Sequence, residues 1–530
     1  MKLKHFSVLN ILLALTIALT ACGKTTAPTT EGAATEAPQS QPSVLTISNP
    51  TTFPDIDPST SFSNDSAVTS NVYETLTRYN APGSQEVLSP ELATSWEASA
   101  DSLTWTFHLR EGVKFHDGTP FNSAAVKFSI ERTTTLNGGA AWIWGVVNEI
   151  ETPDDYTVIF HLDYAAPLDL IASSGYAAWM ISPAAQDKDG AWFNEGHDAG
   201  SGPYTIESYE PGQRIILTQF AEYWGGWQAG QFDKVVLEVA EDPTVRQQKI
   251  EAGEADWTYQ LPTENLASLG NNSDVKVVVN PSFQNLVGLF NNQKPPLDNQ
   301  KVREALSYTF PYETFIQTAM SGYATQARGV IPAGMYGSDS SLFQYSLDLD
   351  QAKSLLTEAG YPDGGFELTM TYATGDLVEQ QAGELWKSEL AKLGITLNAQ
   401  PMSWEAQWDL AKGDAANAQD IFVMYWWPTY ATPYDFFYNM FHTEEQPLFN
   451  LGYYYNADFD QLIDDANTLS GSDKAQAETM FKDASKMLVE DAASLFIFDQ
   501  SNIHIIRSSL KGYVDNPAYP HVVFAYELSR

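Results

Sequence analysis

Hydrophobic and polar residues alternate in several short segments, a pattern typical of half-buried β-strands. The clearest alternating segments are residues 103–110 and 156–162. Residues 234–239 and 503–506 are instead continuous apolar runs, which predict strands buried on both faces. Strands of both kinds are therefore expected along the whole length of the chain.

Helical periodicity appears between these strand segments. Apolar residues in 350–359 fall on one helical face, with Asp350 expected to cap the helix and Gly360 to end it. Residues 300–307 and 473–490 are also predicted to be helical. Mixed helices and strands throughout indicate an α/β or α+β body.

The amino terminus has the pattern of a secretion signal. Basic residues precede an apolar run at 6–21, which is shorter than a membrane-spanning helix requires. The run ends at LTAC (19–22), which resembles the bacterial lipobox, so residues 1–21 are predicted to be a lipoprotein signal peptide and Cys22 the lipidated residue. Residues 22–43 are poor in large apolar side chains and are predicted to be a disordered tether.

Length and charge narrow the class of protein. A chain of 530 residues is long enough for about three or four domains. Its 28 Lys and Arg against 67 Asp and Glu give a net charge of −39, which repels phosphate backbones and excludes nucleic acid as a partner. The single cysteine excludes an intrachain disulfide and thiolate metal clusters.

Motifs for enzymatic chemistry are missing from the sequence. There is no complete phosphate-binding loop, no nucleophile elbow, and no close pair of histidines among the eight. We therefore expect no enzyme activity, no cofactor and no metal. A surface glycan hydrolase stays open as a distant alternative, because its two carboxylates need not be neighbours in sequence. A structural or adhesive lipoprotein is a further alternative.

Several segments together resemble the family-5 extracytoplasmic solute-binding proteins of ABC importers, which include dipeptide and oligopeptide binders. The matching segments, in order, are NVYETLTRY (71–79), ELATSW (91–96), WTFHLREGVKFHDGTPF (105–121), GPY (202–204), YWG (223–225), EAGEAD (251–256), PPLD (295–298) and FDQLI (459–463). They span nearly all of residues 45–515.

The resemblance implies an α/β, two-lobed periplasmic-binding-protein fold of type II, in its large three-domain variant, with mixed sheets and a ligand cleft between the lobes. The first lobe is expected to be discontinuous, with a smaller inserted domain between its first and second segments. The implied limits are 45–77, 199–285 and 495–530 for lobe 1, 78–198 for the inserted domain and 286–494 for lobe 2.

The same resemblance implies a function and its partners. The protein is expected to be a monomeric receptor that closes on a solute. Peptide is the expected substrate class, because the family includes dipeptide and oligopeptide binders. It would deliver that solute to ABC permease subunits and their ATPases. The protein is expected to be extracytoplasmic. The lipidated Cys22 would anchor it to the cell membrane, on the periplasmic side or outer surface.

The segment MYWWPTYATPYDFF (424–437) resembles the loop that carries an acid for the peptide amine in peptide-binding relatives. Where the usual pattern is roughly W-x-x-D-Y-x-D-P, this chain has Thr429 and Thr432, leaving Asp435 as the nearest carboxylate. The stretch that carries an arginine in dipeptide binders, residues 371–380, contains none. Burying both peptide termini without charged partners would cost several kcal/mol, so a peptide held through its backbone is favoured over one held by its termini.

An oligosaccharide or other uncharged solute is the alternative ligand, because the aromatic side chains of this loop offer flat faces for stacking. Further candidates come from the segments FSNDS (62–66), SFQN (282–285) and the stretch after Asp256. The predicted ligand-binding residues are Asn64, Asp65, Ser66, Trp257, Tyr259, Phe283, Asn285, Trp426, Trp427, Thr429, Tyr430, Thr432, Tyr434 and Asp435.

Overall fold

The structure is a computed structural model that describes residues 42–445 and 447–530. The predicted signal peptide, Cys22 and nearly all of the predicted tether lie outside these residues. The strands are β1 Val44–Asn49, β2 Thr77–Tyr79, β3 Leu88–Pro90, β4 Ala93–Ala98, β5 Thr104–Leu109, β6 Val147–Asp154, β7 Thr157–Leu162, β8 Tyr204–Glu210, β9 Arg214–Gln219, β10 Lys234–Val239, β11 Trp257–Tyr259, β12 Val275–Phe290, β13 Ala324–Gln326, β14 Glu367–Ala373, β15 Thr396–Met402, β16 Ile421–Trp426 and β17 Ser494–Arg507.

Helices occur between the strands along the whole described chain. They are α1 Ser66–Val72, α2 Ser123–Leu136, α3 Leu168–Ile171, α4 Gly190–Asn194, α5 Pro243–Ala252, α6 Thr263–Gly270, α7 Gln300–Thr309, α8 Tyr312–Ala319, α9 Leu349–Glu358, α10 Leu377–Ala391, α11 Trp404–Gly413, α12 Pro433–Phe441, α13 Ala457–Leu469 and α14 Lys474–Glu490. Within these ranges no helix is both long and apolar enough to cross a bilayer.

An eleven-stranded sheet organises the fold. Its order is β15-β14-β16-β12-β17-β11-β1-β10-β9-β8, and β13 pairs with β17 outside that path. The two longest strands, β12 and β17, lie side by side in the middle. Strands from residues 367–426 lie on one side of this pair, and strands from residues 44–259 lie on the other. The domain limits given above stay a prediction.

Residues 77–203, which we call the segment before β8, form two smaller sheets of their own. Strands β4, β5, β7 and β6 make a four-stranded antiparallel sheet, and β2 pairs with β3. The predicted alternation is confirmed in β5 and β7, where every second side chain is buried. β10 also alternates between buried and half-buried residues, so the prediction that it is buried on both faces is wrong.

Predicted helices are confirmed at α7, α9 and α14, with one correction. Asp348, not Asp350, caps α9, because its side chain accepts a hydrogen bond from the backbone N–H of Gln351 at 2.9 Å. Asp350 lies in the first turn instead, where a carboxylate still interacts favourably with the helix dipole.

One buried apolar cluster joins distant parts of the chain. It contains Phe283 and Val287 of β12, and it also contains Tyr79, Leu170 and Tyr519. Alternate residues of the same strand, such as Leu286, belong to a separate cluster on the opposite face. Residues from distant parts of the chain therefore pack on the face of the sheet that carries Phe283.

Candidate functional site

Three polar or aromatic side chains lie in one row across the middle of the large sheet. Asn285 on β12 is in register with Trp426 on β16 and with Asp499 on β17. Side chains in register on neighbouring strands share a face and are close enough to interact. We call Trp426, Asn285 and Asp499 the three-strand row. It lies on the face covered by the cluster of Phe283 and Val287.

Trp426 connects this row to the loop singled out in the sequence. Its indole Nε1 donates a hydrogen bond to Asp435 Oδ1 at 3.0 Å. Asp435 lies in the first turn of α12, and Thr432 caps that helix. Burial raises the pKa of Asp435 to about 7, against the lowering effect of its hydrogen bonds with Trp426 and the backbone of Thr429.

Asp499 occupies the other end of the row and is nearly enclosed. Its Oδ2 accepts a hydrogen bond from the backbone N–H of Ala333 at 3.0 Å, and burial raises its pKa to about 7. Asn285 Nδ2 donates to the carbonyl oxygen of Val330 at 2.6 Å. Both side chains therefore contact the same loop, residues 330–333.

The loop between β16 and α12 contacts the other side of the molecule. The hydroxyl of Ser174 donates a hydrogen bond to the carbonyl oxygen of Thr429 at 3.0 Å. Tyr430 packs against two apolar clusters, one of which belongs to the segment before β8, and burial raises its pKa far above the usual range. Trp427, by contrast, is 49% exposed.

The turn between α13 and α14 makes further contacts with the same segment. Lys474 Nζ lies 2.8 Å from Asp169 Oδ2, and the hydroxyl of Ser102 donates to the carbonyl oxygen of Thr468 at 2.6 Å. Asn467 Nδ2 donates to the carbonyl oxygen of Ala165 at 3.2 Å. These polar contacts hold residues 467–474 against the segment that contains β4 to β7.

The predicted residues Asn64, Asp65 and Ser66 lie in a short 3-10 helix and the start of α1. Asp65 is buried and accepts a hydrogen bond from the backbone N–H of Asp55 at 3.4 Å, and burial raises its pKa to about 7. The ring of the preceding Phe62 lies 4.8 Å from that of Tyr176. This segment is therefore near Ser174, but no hydrogen bond joins it to the three-strand row among the described residues.

Trp257 and Tyr259 lie away from the row. Tyr259 is in register with His504 on β17, five residues beyond Asp499, which corresponds to about 17 Å along a strand. Both aromatic rings are buried in the core of their own side, and Tyr259 stacks on His521 at 4.1 Å. Their contact with a solute stays a prediction.

The remaining predicted residues lie in or near α12, or in β12. Tyr434 donates a hydrogen bond from its hydroxyl to Asp464 Oδ1 at 2.8 Å. Phe283 packs edge-to-face on Tyr79, with ring centroids 5.9 Å apart. The structure therefore brings together Phe283, Asn285, Trp426 and Asp435, with Thr429 and Tyr430 on the loop beside them.

Sequence reasoning missed Asp499, Asp169 and Ser174. A signal for Asp499 was present, because it is a carboxylate that follows directly on the apolar strand residues 495–498. The other two become visible only as contacts between segments about 255 and 305 residues apart in the chain.

The site is acidic and offers acceptors for hydrogen bonds. Within residues 42–445 and 447–530, neither Asp435 nor Asp499 forms an ion pair with a lysine or arginine. In the same ranges no group of three His, Cys, Asp or Glu side chains could hold a metal ion. The arrangement is therefore suited to binding a donor-rich solute.

Comparison with known proteins agrees with this description. The chain matches the family model of bacterial extracellular solute-binding proteins, family 5 Middle, over residues 87–447. It is 31% identical over 469 residues to the probable D,D-dipeptide-binding periplasmic protein DdpA of Escherichia coli K12, covering 87% of this chain and 89% of DdpA. It is 30% identical over 448 residues to the glutathione-binding protein GsiB of Pectobacterium atrosepticum, covering 82% and 84%.

Solved structures show the same fold. HbpA2 from Haemophilus parasuis has a TM-score of 0.83 at 22% identity, covering 92% of this chain and 99% of its own. The periplasmic binding protein DppA from Helicobacter pylori, in complex with the peptide STSA, has a TM-score of 0.70 at 25% identity, covering 92% and 98%. The predicted fold class is thereby confirmed, and the chain belongs to the bacterial extracellular solute-binding proteins of family 5.

Proposed function

We propose that this chain is the extracytoplasmic receptor of an ABC importer, that its solute is a peptide, and that it delivers the solute by closure of its two lobes. The names of DdpA, GsiB and the DppA complex support peptide as the substrate class. The observation that carries the proposal is the contact of the loop at Thr429 with Ser174 beside the three-strand row. A solute bound there would contact both sides of the molecule, so binding energy would favour the closed arrangement.

No bond of the solute is expected to be made or broken. The relatives named above are binding proteins, and the acidic groups of the site are held by indole and backbone donors rather than poised as a nucleophile and base pair. We therefore expect the solute to be recovered unchanged after binding.

Membrane attachment and oligomeric state are part of the same proposal. LTAC (19–22) supports lipidation of Cys22, and a lipid anchor would keep a monomeric receptor near its permease. The test is metabolic labelling with a radioactive fatty acid. Label should enter the wild-type chain and be absent from Cys22→Ala, which should also leave the membrane fraction.

The substrate class is tested by thermal unfolding of the full chain against defined libraries of short peptides and of oligosaccharides. A peptide at 100-fold its dissociation constant should stabilise the protein by about 2.7 kcal/mol. Asp435→Ala should reduce that shift, because Asp435 shapes the loop next to the solute. The bound peptide should be recovered intact by mass spectrometry.

The oligosaccharide alternative makes a different prediction in the same experiment. Trp427 leaves an indole face open for stacking on a sugar ring. A shift with sugars and none with peptides, abolished by Trp427→Ala, would replace peptide as the substrate class and leave the receptor mechanism in place.

A further inference from the structure

Two residues of the three-strand row that are in register on neighbouring strands each have an oxygen without a hydrogen-bond partner among the described residues. Asp499 is 5% exposed and Asn285 is 0% exposed. Neither Asp499 Oδ1 nor Asn285 Oδ1 has a partner within the described part of the chain. An acceptor buried without a donor costs free energy, so such a pair needs an explanation.

The identity of the two free atoms is set by the loop at 330–333. Asn285 donates its amide N–H to the carbonyl oxygen of Val330, so the atom that remains must be the amide oxygen. Asp499 uses its other oxygen to accept from the backbone N–H of Ala333. When Asp499 is ionised, both remaining atoms are therefore acceptors, on neighbouring strands and on one face of the sheet.

Within residues 42–445 and 447–530, no lysine or arginine supplies the missing donors. The register neighbours of Asp499 are Asn285 on β12 and Thr325 on β13, and the loop at 330–333 presents only apolar side chains. None of these groups titrates, and the pKa of Asp499 is raised to about 7 by burial alone, with the hydrogen bond from Ala333 opposing it. A group with several N–H donors and a positive charge would satisfy both oxygens and favour the ionised carboxylate.

We propose that Asp499 Oδ1 and Asn285 Oδ1 bind a protonated primary amine of the solute, so that the receptor selects peptides with a free ammonium group. This inference rests on the proposed function, that the solute is a peptide. It assigns a charge anchor to a position outside the loop at 424–437, where Thr429 and Thr432 stand at positions that commonly carry acids in peptide-binding relatives. Asp499 and Asn285 would then determine specificity, and Trp426 beside them would form part of the wall.

A pH dependence follows from the same geometry. The solute ammonium prefers the ionised carboxylate, so below pH 7 binding must first remove a proton from Asp499. Affinity should then fall about tenfold per pH unit below pH 7. It should also fall above about pH 8, where a peptide amino group loses its own proton.

The test uses three libraries of tri- to pentapeptides with the full chain. The first has free amino termini and no lysine, the second is the same library N-acetylated, and the third is N-acetylated and contains lysine. Affinities are measured by isothermal titration calorimetry between pH 5.5 and 8.5. The variants are Asp499→Asn and, as a matched control, Asp515→Asn, which alters another largely buried carboxylate whose pKa is raised, to about 6.

We expect acetylation to weaken binding to the wild type at least tenfold at pH 7.5. Asp499→Asn should weaken binding of the free-amine library by the same factor. The variant should also lose the pH dependence of affinity below pH 7. Binding of the third library alone would identify a lysine amine rather than the amino terminus as the bound group, which also supports the proposal. Asp515→Asn should behave as the wild type.

Equal binding of free and acetylated peptides would overturn the inference while leaving the peptide receptor intact, and so would full binding by Asp499→Asn. Because acetylation changes only the ligand, this result does not depend on how well a variant folds. Binding of none of the three libraries would overturn the proposed function and this inference together.

Discussion

Glu74 and Asp499 are both buried carboxyl groups whose pKa is raised, yet they differ in the number of hydrogen-bond donors around them. Glu74 accepts hydrogen bonds from the hydroxyl of Ser201 at 2.7 Å, from the hydroxyl of Tyr223 at 3.0 Å and from the indole of Trp224 at 2.7 Å. Burial raises its pKa well above the ordinary range, and the neighbouring Glu91 adds to that effect. Among the residues that the structure describes, Asp499 has one donor, the backbone N–H of Ala333.

The difference distinguishes a carboxyl group whose acceptors are occupied by the fold from the one that we propose binds the solute. Desolvation is the largest cause of the raised pKa of both carboxyls, so a shifted pKa does not identify a site by itself. Glu74 has its acceptors occupied, and removing it would leave three donors without a partner. Among the described residues, Asp499 Oδ1 has no hydrogen-bond partner, and this is the oxygen that we propose for the solute.

The largest expected effect comes from deleting the occupied group. Glu74→Ala should lower the free energy of unfolding by about 3–5 kcal/mol, because it leaves buried hydroxyl and indole donors unsatisfied and removes packed atoms. The measurement is the urea unfolding midpoint at pH 7. Glu74→Gln keeps an acceptor and the shape and should cost only about 1 kcal/mol. Equal losses in both variants would show that charge rather than hydrogen bonding matters at Glu74.

The next effect is a pH dependence of stability without ligand. The pKa of Asp499 is raised from 3.8 unfolded to about 7 folded, so the folded protein holds a proton that the unfolded chain has lost. Stability from this group is complete below about pH 4 and decreases as pH rises to 7, by about 4 kcal/mol in total.

Asp499→Asn should remove this decrease, so that the variant equals the wild type at pH 4 and exceeds it at pH 8. Unfolding midpoints at several pH values provide the measurement. Glu74→Gln should flatten stability in the same direction, since that pKa is also raised. Only Asp499→Asn should change solute binding, and a binding loss in Glu74→Gln would break the distinction between the two groups.

The smallest effect concerns Asp169, a buried carboxylate whose partners come from different segments. It accepts from the indole of Trp96 at 3.1 Å and pairs with Lys474 across the contact between α14 and the segment before β8. Lys474→Met should cost about 1–2 kcal/mol, because the Trp96 donor remains. Lys486→Met removes an exposed pair with Glu490 on the same helix and should cost less than about 0.5 kcal/mol. Equal effects of both on the urea midpoint would mean that the contact carries no specific stabilisation.

Much of the local structure followed from the sequence because it depends on near neighbours. The alternation in β5 and β7 and the stripes of α7 and α14 are periodicities of single elements. The cap of α9 was misplaced because Asp348 and Asp350 both suit a helix start, and only the backbone conformation chooses between them. β10 was misjudged because an apolar run does not show that its second face stays partly exposed.

Part of the candidate site was also predicted, through resemblance to a family rather than through periodicity. Asn285, Trp426 and Asp435 were found through the resemblance of their segments to a family, and the structure brings these three together. Trp257 and Tyr259 were chosen in the same way; they lie in the core beside His504 and His521, and their contact with a solute stays a prediction. Motif position along the chain does not say which face of a strand a side chain occupies.

By itself the sequence determined the family, the α/β class and the acidic character of the protein, since motifs, periodicity and charge are properties of the chain. Only the tertiary structure decided that Asp499 and Asn285, 214 residues apart, stand side by side with one acceptor each left free. The reason is that their pairing depends on the register of β12 with β17 and on the loop at 330–333, which no local pattern encodes.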